Sequence, residues 1–386
     1  MNDSFERDFA HAMDSLCFSD AAKETMVDRL LAQSHPVDKP RPRARKLAAV
    51  LLAAALALVM FTGVAVYTRW TRSMEGKYQP TQQIKEQAEK SGLSTMLETT
   101  EAADVFSATD QGITITAVQS VMDKYGAQLV FRVEGFDLPE GAQPSITLAG
   151  RELIDGVHSV PMPTKFYQTE QGYQASDGSL EFTLHLVIPN PDEGEPMGKA
   201  VNVNLSAIGT KEDPTLVQGS WNLHWNLNGT AQSRNSQPKQ AIANTDYALL
   251  EPDITPISVS ALFLVDNSDG RIDLYTELND PDAEAARKAL SGIFIGYRTK
   301  DGQVHTNFSD TGSCYSTLPC AGAAIKYPQY QEETKDDIGI LMKMTKPLTS
   351  IIEPEDVDAI VLLKPESVDK PKEEWTIEDY TIVPLS

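Results

Sequence analysis

Basic residues and cysteines are scarce in this chain, and each shortage excludes something. Lys and Arg number 33 against 55 Asp and Glu over 386 residues, a formal net charge of −22. Nucleic-acid binding by the chain as a whole needs a basic surface to meet phosphates, so no nucleic-acid partner is expected. Three cysteines, Cys17, Cys314 and Cys320, are too few for a disulfide scaffold. The six histidines (His11, His35, His158, His185, His224 and His305) form no metal pair at helical spacing, and His11 with Cys17 lacks the further cysteine pair a zinc site requires. No GxSxG, P-loop or GxGxxG stands between a strand and a helix. The segment DNSDGRID (266–273) falls short of a calcium loop. With Gly270 in sixth place, Val265 stands where an Asp is needed and Thr276 where a Glu is needed, so the segment reads as a hairpin turn. Carboxylates are abundant throughout, and no pair is singled out for acid–base work. The expectation is a protein that is not an enzyme, with no catalytic residue, metal or cofactor.

What is present begins with one long apolar run. Leu47 to Tyr67 (LAAVLLAAALALVMFTGVAVY) holds 21 residues without a charge. As a helix rising ~1.5 Å per residue it spans ~31 Å, the thickness of a hydrocarbon core. A cleaved leader has a shorter charged region than residues 1–46 and a shorter apolar run, and no small-x-small pattern follows. The run reads as one retained transmembrane helix in a lipid bilayer. Lys39, Arg41, Arg43, Arg45 and Lys46 crowd its N-terminal side, whereas Arg69, Arg72 and Lys77 are sparser beyond it. The positive-inside rule places the N-terminus in the cytoplasm and the C-terminal bulk outside the cell membrane. The eight acidic and eight basic residues of 1–46 cancel, so the net charge lies beyond the span. An oxidising exterior would let Cys314 and Cys320, in SCYSTLPC, close a small loop as a candidate disulfide.

The pattern on either side of the span divides the chain further. Within residues 1–46, Phe5, Phe9, Met13 and Leu16 recur on one helical face, and Met26, Val27, Leu30 and Leu31 form the stripe of a second helix ended by Pro36, Pro40 and Pro42. Two such helices are too small to bury a core alone, so Phe5, Phe9, Met13, Met26, Leu30 and Leu31 are candidates for docking a cytoplasmic partner. Residues 68–103 read as a stalk holding one short helix over QQIKEQAEK. From residue 104 the period becomes two. Ile113 and Ile115, then Leu129, Phe131 and Val133, then Phe182, Leu184, Leu186 and Ile188 alternate, as do Val201, Val203 and Leu205. Trp221 and Trp225 share the phase of Leu223 and Leu227, which favours core packing over an exposed sugar platform. The first unit covers 104–232, a polar linker 233–246, and a second β-rich unit 247–386 with a short helix opened by Asp280-Pro281. The expected fold class is a mainly β ectodomain of two β-sandwich or immunoglobulin-like units, joined to short cytoplasmic helices by one transmembrane helix.

The phrases DQGITITAVQSV (110–121) and AQLVFRVEGF (127–136), set after a span and stalk, resemble the bacterial single-pass membrane proteins that carry the domain of unknown function numbered 4179. The cytoplasmic phrase CFSDAAKETMVDRLL (17–31) is also similar to what these proteins carry. Members often accompany extracytoplasmic-function sigma factors and are described as anti-sigma-factor-like. The resemblance implies that residues 1–46 bind a sigma factor and that the β ectodomain senses an extracellular ligand. The zinc-binding His/Cys cluster of the best-known anti-sigma domains is absent, so such binding would be metal-free. The alternative is a structural or adhesive surface protein, whose β domains bind cell-wall material or a protein partner.

Overall fold

A computed structural model describes residues 70–385 apart from 98–104, 151–152, 163, 171, 175–176, 189–190, 192–195, 271, 273–279, 307, 309–313, 319–326, 333 and 335–338. The apolar run 47–67 and the expected cytoplasmic helices of 1–46 lie outside the described residues. Among those described, no helix is long and apolar enough to cross a membrane. Trp70–Ser386 forms one compact unit, and it is mainly β.

Two short helices come first, α1 (Arg72–Tyr78) and α2 (Gln82–Lys90). Ten strands follow: β1 (Ser94–Met96), β2 (Ser107–Asp110), β3 (Ile113–Met122), β4 (Gly126–Glu134), β5 (Pro144–Leu148), β6 (Val160–Pro161), β7 (Lys165–Phe166), β8 (Leu180–Val187), β9 (Ala200–Thr210) and β10 (Val217–Asn226). They make two antiparallel sheets. One runs β1-β3-β4-β8-β6, with β2 also on β3 and β7 also on β8, and the other runs β10-β9-β5. The alternating apolar residues of both meet in one core: Ile115, Leu129, Phe131 and Phe182 from the first sheet, Val203, Leu205, Trp221 and Trp225 from the second. Phe131 and Phe182 stack at 4.8 Å across β4 and β8. Both tryptophans are fully buried, as their phase predicts. The β2–β3 hairpin turns on Gln111 and Gly112, both at positive φ, which matches the strand twist.

The second module adds β11 (Arg234–Asn235), β12 (Gln240–Ala241), β13 (Tyr247–Ile254), β14 (Ser258–Asp266), α3 (Pro281–Ile293), β15 (Phe294–Thr299), β16 (Val304–His305), β17 (Cys314–Leu318), β18 (Gly339–Pro347), β19 (Val357–Leu363) and β20 (Tyr380–Pro384). One antiparallel sheet runs β11-β13-β14-β18-β17, with β12 also on β13, and another runs β16-β15-β19-β20. Phe263, Met342, Phe294, Ile360 and Leu290 of α3 share its core. Asp280 caps α3 by accepting from the amides of Asp282 and Ala283, with Pro281 at the first position.

Two segments differ from the sequence expectation. The described part of the stalk is packed into the body: Trp70, Met74 and Tyr78 of the α1 segment, with Ala88 and Leu93, share a small core with Val121 and Val130 of the first module and Ile257 and Ile351 of the second. Their spacing of four residues is one helical stripe, and it finds an apolar surface to cover. The stretch 233–246, expected as a linker, supplies β11 and β12 to the second module, and Arg234 donates to the carbonyls of Val357 (2.5 Å), Leu385 (3.1 Å) and Glu355 (3.3 Å).

The modules are tied together at two turns. The carboxylate of Asp123, in the β3–β4 turn, accepts from the amides of Tyr125 and Gly126 in its own turn. It also accepts from the hydroxyls of Thr255 (2.6 Å) and Ser258 (3.1 Å) and the amide of Ile257 (3.1 Å) in the β13–β14 turn. Asp253 returns the contact, accepting from Lys124 Nζ at 3.1 Å and the Tyr125 hydroxyl at 2.7 Å. Burial pushes the Asp123 carboxyl up, against the pull of the surrounding donors.

Candidate functional site

The outer face of the first sheet, away from its core, carries the site. Antiparallel register sets Gln128 of β4 opposite His185 of β8, and Val130 opposite Thr183. Lys165 of β7 then lies across from Thr183 on the other side. Cross-strand partners of this kind hold their Cβ atoms ~4.5–5.5 Å apart, so Gln128–His185 and Thr183–Lys165 form two adjacent pairs of one polar patch. Over it lies α1, whose first turn is pinned where the Ser73 amide donates to the Glu181 carboxylate at 2.6 Å.

Between them is a cavity of about 530 Å³. Its floor is Gln128, Thr183 and His185; one wall is Ser73, Gly76 and Lys77 of α1. A second wall is Met162 and the stretch 165–168, and Leu348 and Thr349 of the second module close a third side. The size suits a small organic molecule. None of the described residues lining it is a carboxylate, in a chain of net charge −22.

Its electrostatics follow from enclosure among like charges. Burial, reinforced by Lys165, lowers the Lys77 ammonium to about 7. Its Nζ sits 5.0 Å from the centre of the Tyr78 ring, a cation–π contact. Burial, then Lys77 and Lys165, lowers the His185 imidazole to about 3, so His185 is neutral near pH 7. Gln128 is only 2% exposed. Among the described residues nothing hydrogen-bonds the Gln128 amide or the His185 ring. The cavity thus offers ready donors and positive potential beside the apolar surfaces of Met162, Phe166 and Leu348.

The residues singled out from sequence lie elsewhere. Phe5, Phe9, Met13, Met26, Leu30, Leu31 and Cys320 are outside the described residues. Cys314 begins β17, paired with Thr345 of β18. Among the described residues no group of three or more His, Cys, Asp or Glu could hold a metal. His224 bonds Asn202 at 2.7 Å, and His305 stacks on Tyr297 at 5.0 Å. The cavity itself was missed. Alternation correctly sets His185 on the outward phase, but outward there means toward α1 and the cavity.

No protein-family description matches the chain, and no curated protein does. Among solved structures it is similar to the crystal structure of the conserved domain protein from Bacillus anthracis, at 13% identity and a TM-score of 0.41, over 70% of this chain and 77% of that one.

Proposed function

We propose that this chain is a single-pass signalling protein, anti-sigma-factor-like, of the kind its sequence resembles in the domain-4179 family. Residues 1–46 hold a sigma factor in the cytoplasm, through the face bearing Phe5, Phe9, Met13, Met26, Leu30 and Leu31. Residues 47–67 cross the membrane. Outside, two β-sandwich-like modules sense a ligand. The observation that supports this reading best is where the cavity wall stands in the chain. Helix α1 begins five residues after Tyr67, the last residue of the apolar run, and contributes Ser73, Gly76 and Lys77 to the cavity. A ligand that binds more tightly with α1 in one position than in another biases the segment leading into the span, which is all a transmembrane switch requires.

The test is affinity purification of the tagged full-length chain from membranes, read by mass spectrometry. A sigma factor recovered with the wild type and lost with Phe9→Asp/Leu30→Asp supports the reading. Recovery of no sigma factor with the wild type sinks it.

A further inference from the structure

We propose that the cavity under α1 binds a small organic anion, with a carboxylate or phosphate group at Lys77, Gln128 and His185 and a compact apolar body against Met162, Phe166 and Leu348. The inference takes the cavity to be the site of the sensor reading, and names its ligand class.

Three features carry it. First, the donors lie together by register: Gln128 and His185 are direct cross-strand partners on the cavity floor. Second, Gln128 is 2% exposed and without a hydrogen bond among the described residues. Its amide opens onto the cavity, where an acceptor oxygen of a ligand can take the place of water. Third, the charged residues lining the cavity, Lys77 and Lys165, are of one sign among the described residues, and the nearby Glu181 carboxylate is engaged by the Ser73 amide. Lys77 faces His185 from β8, Lys165 from β7 and the Tyr78 ring on its own helix, while the second module adds only the uncharged Leu348 and Thr349. A neutral ligand meets the Gln128 amide but adds no attraction at Lys77, whose ammonium Lys165 disfavours. An anion does both, and the apolar surfaces of Met162, Phe166 and Leu348 favour one that carries an apolar body.

Binding an anion draws a proton onto Lys77, whose empty-site value is about 7. Affinity therefore falls as pH rises from about 6 to 9.

The experiment is isothermal titration of the full chain in nanodiscs of neutral lipid, with benzoate, phenyl phosphate and the uncharged benzamide. At least one anion is expected to bind at least tenfold more tightly than benzamide, and to weaken about tenfold in Lys77→Met and in Lys165→Met, a change at the exposed rim that leaves the core untouched. No heat from either anion up to about 10 mM overturns the proposal, as does equal binding of benzamide or wild-type affinity in both lysine variants. The carboxylate and phosphate arms decide which group the site prefers. Because no signalling is read, anion binding without a sigma factor in the purification above would remove the sensor reading and leave this one standing.

Discussion

Lys77 carries its charge where charge is costly. Folding lowers its ammonium from 10.5 to about 7, so between those values the unfolded chain binds a proton that the folded chain does not. Stability then rises with pH through that window, and the burden of the buried ammonium is greatest below it. Thermal unfolding of the wild type between pH 7 and 10 should show this rise, and Lys77→Met should flatten it. An unchanged slope in the variant would mean that Lys77 stays solvated. The same crowding keeps His185 neutral, which makes the site's charge depend on its two lysines. None of this is legible residue by residue. Gln128, Thr183 and His185 occupy the polar phase of their strands, as the sequence implies, and polar phase ordinarily means water.

The element that changes their surroundings is α1. Its seven residues are too few to hold a helix alone, since nucleation is unfavourable and isolated helices shorter than ~12–15 residues are marginal in water. Docking sustains it: Met74 is fully buried between Val121 and Val130 of one module and Ile257 and Ile351 of the other. Met74→Ala should cost about 2–5 kcal/mol of local stability, the range for a large buried side chain cut to a methyl. Hydrogen exchange read over 72–78 checks it; those amides should lose protection while β4 and β8 keep theirs. Trp70, Met74 and Tyr78 stand four residues apart, but residues 68–103 read as a stalk from sequence, and no packing of the three is expected there. Their neighbours Gly76, Gln79 and Pro80, with the charges around them, make the segment read as a spacer, because the surface that covers the stripe comes from strands more than forty residues on. By contrast α3 could be read in advance, since Asp280 and Pro281 define its start locally.

At the scale of the whole molecule each module has its own core, and the two are joined by the small apolar core under α1 and by the polar contacts around Asp123. Asp123 gathers two amides of its own turn and three donors from the β13–β14 turn, so its removal leaves buried donors unmatched in both modules. Asp123→Ala should lower stability by about 3 kcal/mol or more and split calorimetric unfolding of Trp70–Ser386, followed in the full-length chain, into two transitions, because each core is self-contained. A single transition at the wild-type temperature would show that the apolar junction alone couples the modules.

What the sequence determined by itself is local or periodic. The alternating strands, the β2–β3 hairpin at Gln111-Gly112, the capped α3 and the burial of Trp221 and Trp225 all follow from side-chain spacing and turn chemistry within a few residues. Tertiary structure alone decided which outward faces stay wet. Gln128 and His185 became a cavity floor because α1 and Leu348 close over them, and Asp123 became a joint because a turn some 130 residues later supplies its donors. Periodicity records which way a side chain points along its own strand, and what waits there is set by chain that is distant in sequence.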